Sequence, residues 1–336
     1  MDLSIIVPIY NVEQYVRACI ESIYRQGLDE DRFVVILVND GTKDKSMEVI
    51  ADIIQQHKNI TVVHQENQGL SMARNNGMAI AKGEYILMPD SDDLLVENSV
   101  KPLLEKALET KADMIVADFL KFEDTELDLR HNEIPQKTNL VFIKKENEEL
   151  YLDDLDNNEC YVWRTIYRRE FLIKNNLTFY PGITFEDIAF THKCYLNNII
   201  SFRVHWLLYG YRIRQNSISC KNTFSVQKAH DLCIAIAQTR NLIKEKDFNS
   251  LVIKKLNNDL YLSYHNLLCR TLYGRKAYKD KIHIIKILKT TVPDLKFNNG
   301  IKQKFHTLLL KTSPQICIIV WTIIKHIHWS HNNKHV

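Results

Sequence analysis

The chain has 336 residues, of which 45% are hydrophobic and 25% charged, with only 9 Gly and 7 Pro. This composition predicts a globular protein of two domains and excludes a largely disordered or fibrous chain. The net charge of +3 hides a division, because residues 270–336 hold thirteen Lys and Arg against two acidic residues, a net of +11 that leaves −8 for the rest.

Cysteine usage and the N-terminus predict a cytoplasmic protein. The seven cysteines are an odd number, and none has the CxxC or Cys/His spacing of a metal site. We therefore expect free thiols in a reducing compartment. The N-terminus carries an acidic second residue, Asp2, and its apolar stretch is too short for a secretory signal.

In the first 120 residues, short β-rich apolar runs alternate with the helical patterns of Val12–Arg25 and Asp44–His57. The predicted strands are Leu3–Ile9, Phe33–Val38, Ile60–His64, Tyr85–Met88 and Met114–Ala117. This alternation predicts an α/β fold with a Rossmann-like, mostly parallel central sheet, in which ligands bind beyond the carboxyl ends of the strands. Asn11, Asp40 and Asp90 lie just past predicted strand ends, where such a site is expected.

The remainder of the chain changes character twice. From about Lys121 to Asn158 the pattern is acidic and weakly periodic, which predicts a surface excursion or lid. A second αβ-like section runs from Cys160 to about Tyr211. The helices predicted after Ser219 are Ser225–Lys244, Ser250–Leu272, Lys279–Leu288 and the stretch from Ile301 onward. We therefore divide the chain into an α/β domain at 1–219 and a helical C-terminal region at 220–336.

Three carboxylates, Asp90, Asp92 and Asp93, fall within the four residues 90–93, just after the apolar run Tyr85–Met88. On an extended strand, Asp90 and Asp92 would project to the same side and could hold one hard cation, Mg²⁺ or Mn²⁺, which keeps coordination positions for water and phosphate oxygens. A diphosphate ligand fits that chemistry. The alternative is that Asp-Ser-Asp-Asp caps a helix that follows.

The usual nucleotide-binding and hydrolase motifs are missing from the sequence: it contains no GxGxxG, GxxxxGK[ST], GxSxG or HExxH. Four ordered motifs instead resemble the family 2 glycosyltransferases of GT-A fold. They are Ser4–Asn11, Val38–Thr42, Asn67–Asn75 and Pro89–Asp93. The resemblance reappears at Val162–Arg164 and Phe185–Asp187, and it fades over the helical C-terminal third.

This resemblance implies an inverting transfer of one sugar from a nucleotide diphosphate sugar to a hydroxyl of a saccharide or lipid-linked saccharide, in the assembly of a bacterial surface polysaccharide. The QxxRW motif of the processive members was not found, which favours the transfer of a single sugar. The alternative is a non-catalytic partner protein of the same fold that binds nucleotide sugars or a membrane. Retention of Asp40, Asp90, Asp92 and Asp187 together favours the enzyme.

The resemblance also assigns a nucleotide-sugar site. Pro8 and Tyr10 are expected to border the base, with Tyr10 able to stack on it. Asp40 is expected to accept a hydrogen bond from the imide nitrogen of the base, which favours a UDP-sugar. The usual Asp-Asp-Gly-Ser of the family is Asn39-Asp40-Gly41-Thr42 here, and the second acid is kept. Arg74 is expected near the base or the phosphates.

At the diphosphate, Asp90 and Asp92 are similar to the DxD motif that holds Mn²⁺ or Mg²⁺ and the ribose, with Asp93 as an alternative ligand. Arg214 lies in a segment that resembles the part of the family fold that closes over the diphosphate, where a guanidinium suits phosphate oxygens. The alternative for Arg214 is a solvated strand end.

Catalysis is assigned to Asp187, a carboxylate that would remove the proton of the acceptor hydroxyl as that oxygen attacks the anomeric carbon. Glu186 is the competing choice and otherwise an acceptor contact, and both could simply be acids at a helix N-terminus. Trp163 is expected to line the acceptor sugar, although core packing explains a lone Trp equally well.

The tail predicts where the enzyme acts. Residues 314–324 form a strongly apolar stretch that is too short for the roughly twenty residues of a membrane span. Because Lys304, Lys311, Lys325 and Trp329 flank it, the stretch could lie at an anionic membrane surface, which predicts a peripheral position on the inner face of the cell membrane. The alternative is a helix packed against the catalytic domain. Nucleic acid is not expected as a partner, since no binding motif is visible.

Overall fold

A computed structural model describes residues 1–123, 139–155, 159–213, 224–272, 277–293, 295–297 and 300–332, without the side chains of residue 272 and of residues 324–332. Contacts within the chain divide it into two compact units. The first contains the described residues of Met1–Gly182 and Glu186–Ser217, and the second contains those of Ile183–Phe185 and Ile218–Val336. Each unit is described by itself below.

The first unit begins with a parallel block of four strands in the order β3-β2-β1-β4. The strands are β1 (Leu3–Ile9), β2 (Phe33–Asn39), β3 (Ile60–His64) and β4 (Tyr85–Leu87). The helices between them are α1 (Val16–Ile23), α2 (Ala51–Gln56) and α3 (Leu70–Ile80). All seven residues of β1 are buried, as expected for a central parallel strand that is covered on both faces.

One glycine brings α3 onto the sheet. A Cβ atom added at Gly77 would lie 2.3 Å from Cγ2 of Ile6, which is closer than real Cβ contacts. The absence of a side chain at Gly77 therefore lets this helix pack directly on β1.

The rest of the sheet mixes strand directions. Its elements are β5 (Leu94–Leu95), α4 (Val100–Thr110), β6 (Met114–Glu123), β7 (Phe142–Glu146), α5 (Glu149–Asp154), β8 (Thr165–Arg168), α6 (Arg169–Lys174), α7 (Glu186–Asn197) and β9 (Ile200–Ile213). The strand order continues β4-β8-β6-β9-β5, and β7 also pairs with β9. β8 is antiparallel to both neighbours, whereas β6 and β9 run parallel. Most paired residues belong to parallel ladders, so the expected α/β class with a mostly parallel sheet is confirmed.

The element boundaries differ from prediction where loops carry polar contacts. The helix predicted over Val12–Arg25 begins only at Val16, and the pattern Asp44–His57 becomes helical only from Glu48. β6 extends to Glu123, six residues beyond its predicted end. Part of the predicted surface excursion forms β7 and α5, while residues 124–138 and 156–158 lie outside the described residues.

The second unit is helical, as predicted. Its helices are α8 (Val226–Glu245), α9 (Ser250–Leu272), α10 (Tyr278–Thr291), α11 (Ile301–Leu310) and α12 (Pro314–Asn332). The Ser225 side chain caps α8 by accepting a hydrogen bond from the backbone N–H of Lys228. Buried aromatic residues of α9 and α12 pack around His306 of α11. Among the helices of the described ranges, none is long and apolar enough to cross a membrane.

Candidate active site

The acidic motif after β4 lies in a turn. β4 ends at Leu87, residues 91–92 form a turn, and the two-residue strand β5 follows before α4 begins at Val100. The sequence analysis placed Asp90 and Asp92 on one side of an extended strand. That expectation is wrong, because the motif forms a turn. The alternative of a helix cap is wrong as well, because no helix begins at the motif.

Asp93 fastens this turn to β9. Its two carboxylate oxygens accept hydrogen bonds from the Tyr209 hydroxyl at 2.8 Å and from the backbone N–H of Arg212 at 2.7 Å. The side chain is buried, and burial together with the charges of Asp92 and Asp90 raises its pKa well above the usual range. A carboxylate held by protein donors on both oxygens is less suited to a metal than its neighbours are.

Arg74 of α3 joins two carboxylates from distant parts of the chain. Its Nη2 lies 2.6 Å from Oδ1 of Asp90, and its Nη1 lies 2.7 Å from Oε1 of Glu186, the first residue of α7. The guanidinium is only 3% exposed and stands 5.3 Å from the centre of the Phe179 ring. Arg74 therefore lies at the acidic turn, which the resemblance places at the phosphate end of the predicted nucleotide site.

The carboxylates around Arg74 outnumber it. Burial and the charge of Glu186 raise the pKa of Asp187 to about 8, against the opposing effect of Arg74. Burial also raises the pKa of Asp90 to about 6, with Arg74 opposing it and Asp92 adding to it. Three carboxyl groups, those of Asp90, Glu186 and Asp187, act on this one guanidinium, and their excess negative charge costs free energy unless a cation or a proton compensates it.

The two predicted acids of α7 differ in environment. Glu186 is fixed by Arg74, and 8% of its side chain is exposed. Asp187, the next residue, is half-buried. Asp187 interacts electrostatically with both Asp90 and Arg74. The structure therefore brings together these three residues, to which the sequence analysis assigned separate roles.

Asp40 holds the start of α3. Its carboxylate accepts hydrogen bonds from Gln65 Nε2 at 2.7 Å, from the Gln68 N–H at 2.8 Å and from the Gly69 N–H at 2.9 Å. Since a carboxylate offers about four acceptor positions, these three bonds leave one position for the hydrogen bond from the base, which stays a prediction. Gln65 was missed by the sequence analysis, although it directly follows β3 just as Asp40 directly follows β2.

At the neighbouring strand end, Pro8 is buried inside β1 while Tyr10 is 43% exposed, which leaves the Tyr10 ring accessible for stacking. Asn11 adopts a positive φ of 54° and turns the chain sharply after β1. Its backbone N–H donates to Oγ1 of Thr42 at 2.8 Å, which ties the end of β1 to the loop after β2.

Trp163 packs in the core, which is the alternative that the sequence analysis gave to contact with an acceptor sugar. Only 3% of it is exposed, and its ring stacks on Tyr209 with centroids 4.1 Å apart and on Tyr161 at 4.7 Å. Tyr209 in turn donates to Asp93, so the aromatic stack supports the acidic turn. Contact between Trp163 and an acceptor sugar stays a prediction. Arg214 lies outside the described residues.

A metal site would have to use few protein ligands. Within the part of the chain that the structure describes, no group of three or more His, Cys, Asp or Glu side chains is arranged to hold a metal ion. Asp90 remains 26% exposed with one oxygen bound by Arg74, and Asp92 lies close enough to raise its pKa. Two carboxylates with excess negative charge fit Mg²⁺ or Mn²⁺, which take most other ligands from water and phosphate.

Comparison with known proteins identifies the family of the chain. Residues 4–175 match the model of the family described as glycosyl transferase family 2. The chain is 39% identical over 223 residues to the uncharacterized glycosyltransferase EpsJ of Bacillus subtilis, covering 65% of this chain and 62% of that protein. It is 30% identical over 242 residues to glycosyltransferase GlyG of Streptococcus pneumoniae, covering 68% of this chain and 76% of that one.

Among solved structures, the crystal structure of residues 1–349 of S. aureus TarS in complex with UDP-GlcNAc is similar, with a TM-score of 0.67 and 19% identity. The match covers 87% of this chain and 81% of the TarS chain, and it confirms the expected GT-A fold. The family match spans the motifs that build the parallel block, the Asp40 loop, α3 and the acidic turn. The chain therefore belongs to glycosyl transferase family 2, and it is a glycosyltransferase.

Proposed function

We propose that the protein is a metal-dependent, inverting glycosyltransferase that moves one sugar from a UDP-sugar to a hydroxyl of a saccharide or lipid-linked saccharide in bacterial surface-polysaccharide assembly. The observation that carries the proposal is the buried cluster in which Arg74 joins Asp90 to Glu186 beside Asp187. This cluster unites a candidate diphosphate site with a candidate base. The alignment with EpsJ spans only 62% of that protein.

Asp187 is the proposed general base. During inversion it takes the proton from the acceptor hydroxyl, whose oxygen forms the new bond to the anomeric carbon while the bond to the diphosphate breaks. No covalent sugar intermediate is needed. A base works best when its pKa is near the working pH, and the pKa of about 8 for Asp187 meets that condition. Glu186, held by Arg74, is proposed to contact the acceptor, and Trp163 is proposed to line the acceptor sugar.

For the donor, we propose that Tyr10 and Pro8 border a uracil ring whose imide N–H donates to Asp40. The rigid binding of Asp40 by Gln65 and α3 supports a preorganised acceptor at that point. TarS, which shares the fold, was crystallised with UDP-GlcNAc, and a UDP-sugar is the donor proposed here. Arg214 and Asp90 are proposed to face the diphosphate.

Asp90 and Asp92 are proposed to hold Mn²⁺ or Mg²⁺. When bound, such an ion neutralises negative charge on the departing diphosphate. Arg74 supports Asp90 from the buried side and keeps this carboxylate oriented. The same guanidinium fixes Glu186, so a change at the donor side is expected to reach the acceptor side through one residue.

We also propose that the helical unit meets an anionic membrane surface through α11 and α12. Each helix exposes apolar side chains at helical spacing, namely Ile301, Phe305 and Leu308 on α11, and Ile316, Ile319 and Ile323 on α12. Lys304 and Lys311 lie beside them and are exposed. The opposite face of α12 is buried through Cys317, Ile318 and Trp321, so packing and surface exposure occupy different faces of one helix. The side chains of Lys325 and Trp329 lie outside the described part.

Nucleotide release from a panel of UDP-, GDP- and CMP-sugars tests the proposed function. We expect release from a UDP-sugar with Mn²⁺, its loss with chelator, and its loss in Asp92→Ala. Release that is independent of metal would reject the metal proposal, and release from a GDP- or CMP-sugar would reject the uracil site. Failure to bind any donor would favour the alternative of a non-catalytic partner protein.

A further inference from the structure

A cavity of about 450 Å³ lies in the first unit, and none of its lining residues belongs to the Arg74 cluster. Its volume falls within the roughly 300–1,000 Å³ of typical ligand pockets. Its walls come from β6, β7, α5 and β9, together with Glu159 and Arg164. We call it the β6–β9 cavity. Ile143 of β7 and His205 of β9 stand at its exposed rim.

The cations of the β6–β9 cavity are paired with its carboxylates. The ion pairs are Arg203 with Asp118 and Asp154, Arg164 with Asp154, and Lys145 with Asp153. Glu159 adds a fourth carboxylate against these three cations. An anionic ligand would meet this excess of negative charge, whereas hydroxyl groups can donate to the carboxylates and accept from the guanidinium and ammonium groups.

Two structural links connect this cavity to Asp187. The hydroxyl of Tyr195 on α7 donates to Oδ2 of Asp154 at 3.1 Å, and Tyr195 stands eight positions after Asp187 on the same helix. That spacing corresponds to about 12 Å along the helix axis. On the other side, the ring of Phe119 packs 5.2 Å from that of Tyr161. Burial, Glu159 and also Asp187 raise the pKa of Tyr161 to about 12, so this ring lies within reach of the charge of the proposed base.

We infer that the β6–β9 cavity binds a neutral, hydroxyl-rich oligosaccharide segment of the acceptor, beyond the sugar that receives the transfer. Asp187 and Tyr195, which contacts the cavity residue Asp154, are separated by about 12 Å along α7, so an acceptor that reaches from the proposed base to the cavity would contain more than one sugar residue. The dense ion pairs hold the polar groups in place before binding, which lowers the cost of ordering them. This inference rests on the proposed function for its meaning, but binding to the cavity can be measured without turnover.

The test uses cellotetraose, maltotetraose and chitotetraose as neutral probes and poly(ribitol phosphate) as an anionic one, with binding followed by saturation-transfer NMR on the full chain. The variants Ile143→Trp and His205→Trp place a large side chain at the rim. Ile80→Trp is the matched control, because Ile80 of α3 is 41% exposed, Ile143 is 40% exposed, and Ile80 does not line the cavity.

We expect at least one neutral tetrasaccharide to bind the wild type, with affinity reduced about tenfold or more in both rim variants and unchanged in Ile80→Trp. Affinity for UDP should be the same in all four proteins. Unaltered tetrasaccharide binding in the rim variants, no binding of any neutral probe, or a preference for poly(ribitol phosphate) would each overturn the inference. Absence of UDP binding in the wild type would instead count against the proposed function.

Discussion

Arg74 and Glu186 are 112 positions apart in the chain, yet Nη1 of the first lies 2.7 Å from Oε1 of the second in a buried ion pair. The pair connects α3, whose start is held by Asp40, to α7, whose second residue is Asp187. Asp90, Glu186 and the proposed base Asp187 therefore all interact with one buried guanidinium.

Removal of Arg74 is predicted to damage both stability and transfer. In Arg74→Met, Asp90 and Glu186 lose their buried partner, and breaking a buried pair in this way costs about 3–5 kcal/mol. Chemical denaturation measures this loss. The matched variant Arg25→Met removes a partly exposed guanidinium of the same unit and should cost about 1 kcal/mol or less. Equal losses in the two variants would contradict the assignment of Arg74 as the central cation.

Asp187→Asn is predicted to lower transfer by about 10²–10⁴-fold, the usual contribution of a general base, while donor binding is retained. Transfer is measured with saturating UDP-sugar and acceptor, and donor binding by calorimetry. Glu186→Gln is the comparison, because it keeps the shape of the neighbouring side chain. A larger loss of transfer in Glu186→Gln than in Asp187→Asn would move the base role to Glu186.

The same Asp187→Asn variant has a predicted pH signature. The pKa of Asp187 is raised from 3.8 to about 8, so the folded protein binds more protons than the unfolded chain between these values, and stability falls as the pH rises through that window. Asn removes this penalty. Without metal or nucleotide, the variant should match the wild type near pH 4 and melt at a higher temperature above pH 8, by about 2–4 °C for each kcal/mol relieved. A gap in melting temperature that is constant with pH would contradict the raised pKa.

The parallel block and its polar strand ends could be predicted because both are local features of the sequence. The strands Leu3–Ile9 and Ile60–His64 match their predicted bounds. Short apolar runs rich in β-branched residues and bounded by turn residues favour strands over other structures. The position of Asp40 directly after β2 agrees with the predicted strand end, and its role in ligand binding stays a prediction.

Other features depend on tertiary packing that no local pattern reports. The acidic motif suits a strand end, a helix cap or a turn equally well, and the hydrogen bonds from Tyr209 and Arg212 to Asp93 select the turn. The burial of Trp163 follows from the aromatic residues of β9 that stack on it. These partners are supplied by β9, more than a hundred residues after the motif.

Tyr209→Phe is predicted to loosen the acidic turn. The hydroxyl donates to Asp93 and accepts from the Asp90 backbone N–H, so its removal leaves buried polar groups without a partner at a cost of about 1–3 kcal/mol. We expect a matching fall in the free energy of unfolding and weaker Mn²⁺ binding by calorimetry. Tyr180→Phe, at a site that is 41% exposed, is the control and should change neither quantity. If Tyr209→Phe binds Mn²⁺ as tightly as the wild type does, the hydrogen bonds of the acidic turn do not support the metal site.

Introduction of negative charge on the exposed face of α12 is predicted to abolish the proposed membrane binding without unfolding the helical unit. Ile316 and Ile323 are 48% and 52% exposed, so Ile316→Glu with Ile323→Glu removes apolar surface and adds repulsion from anionic lipid while the buried face through Trp321 stays intact. Sedimentation with vesicles of phosphatidylglycerol and phosphatidylcholine measures the effect. Leu251→Glu on α9, where Leu251 is 64% exposed, controls for a surface charge elsewhere in the same unit. If the double variant still binds these vesicles as the wild type does, the apolar face of α12 is not the membrane contact; if only the double variant is released, that face carries the binding.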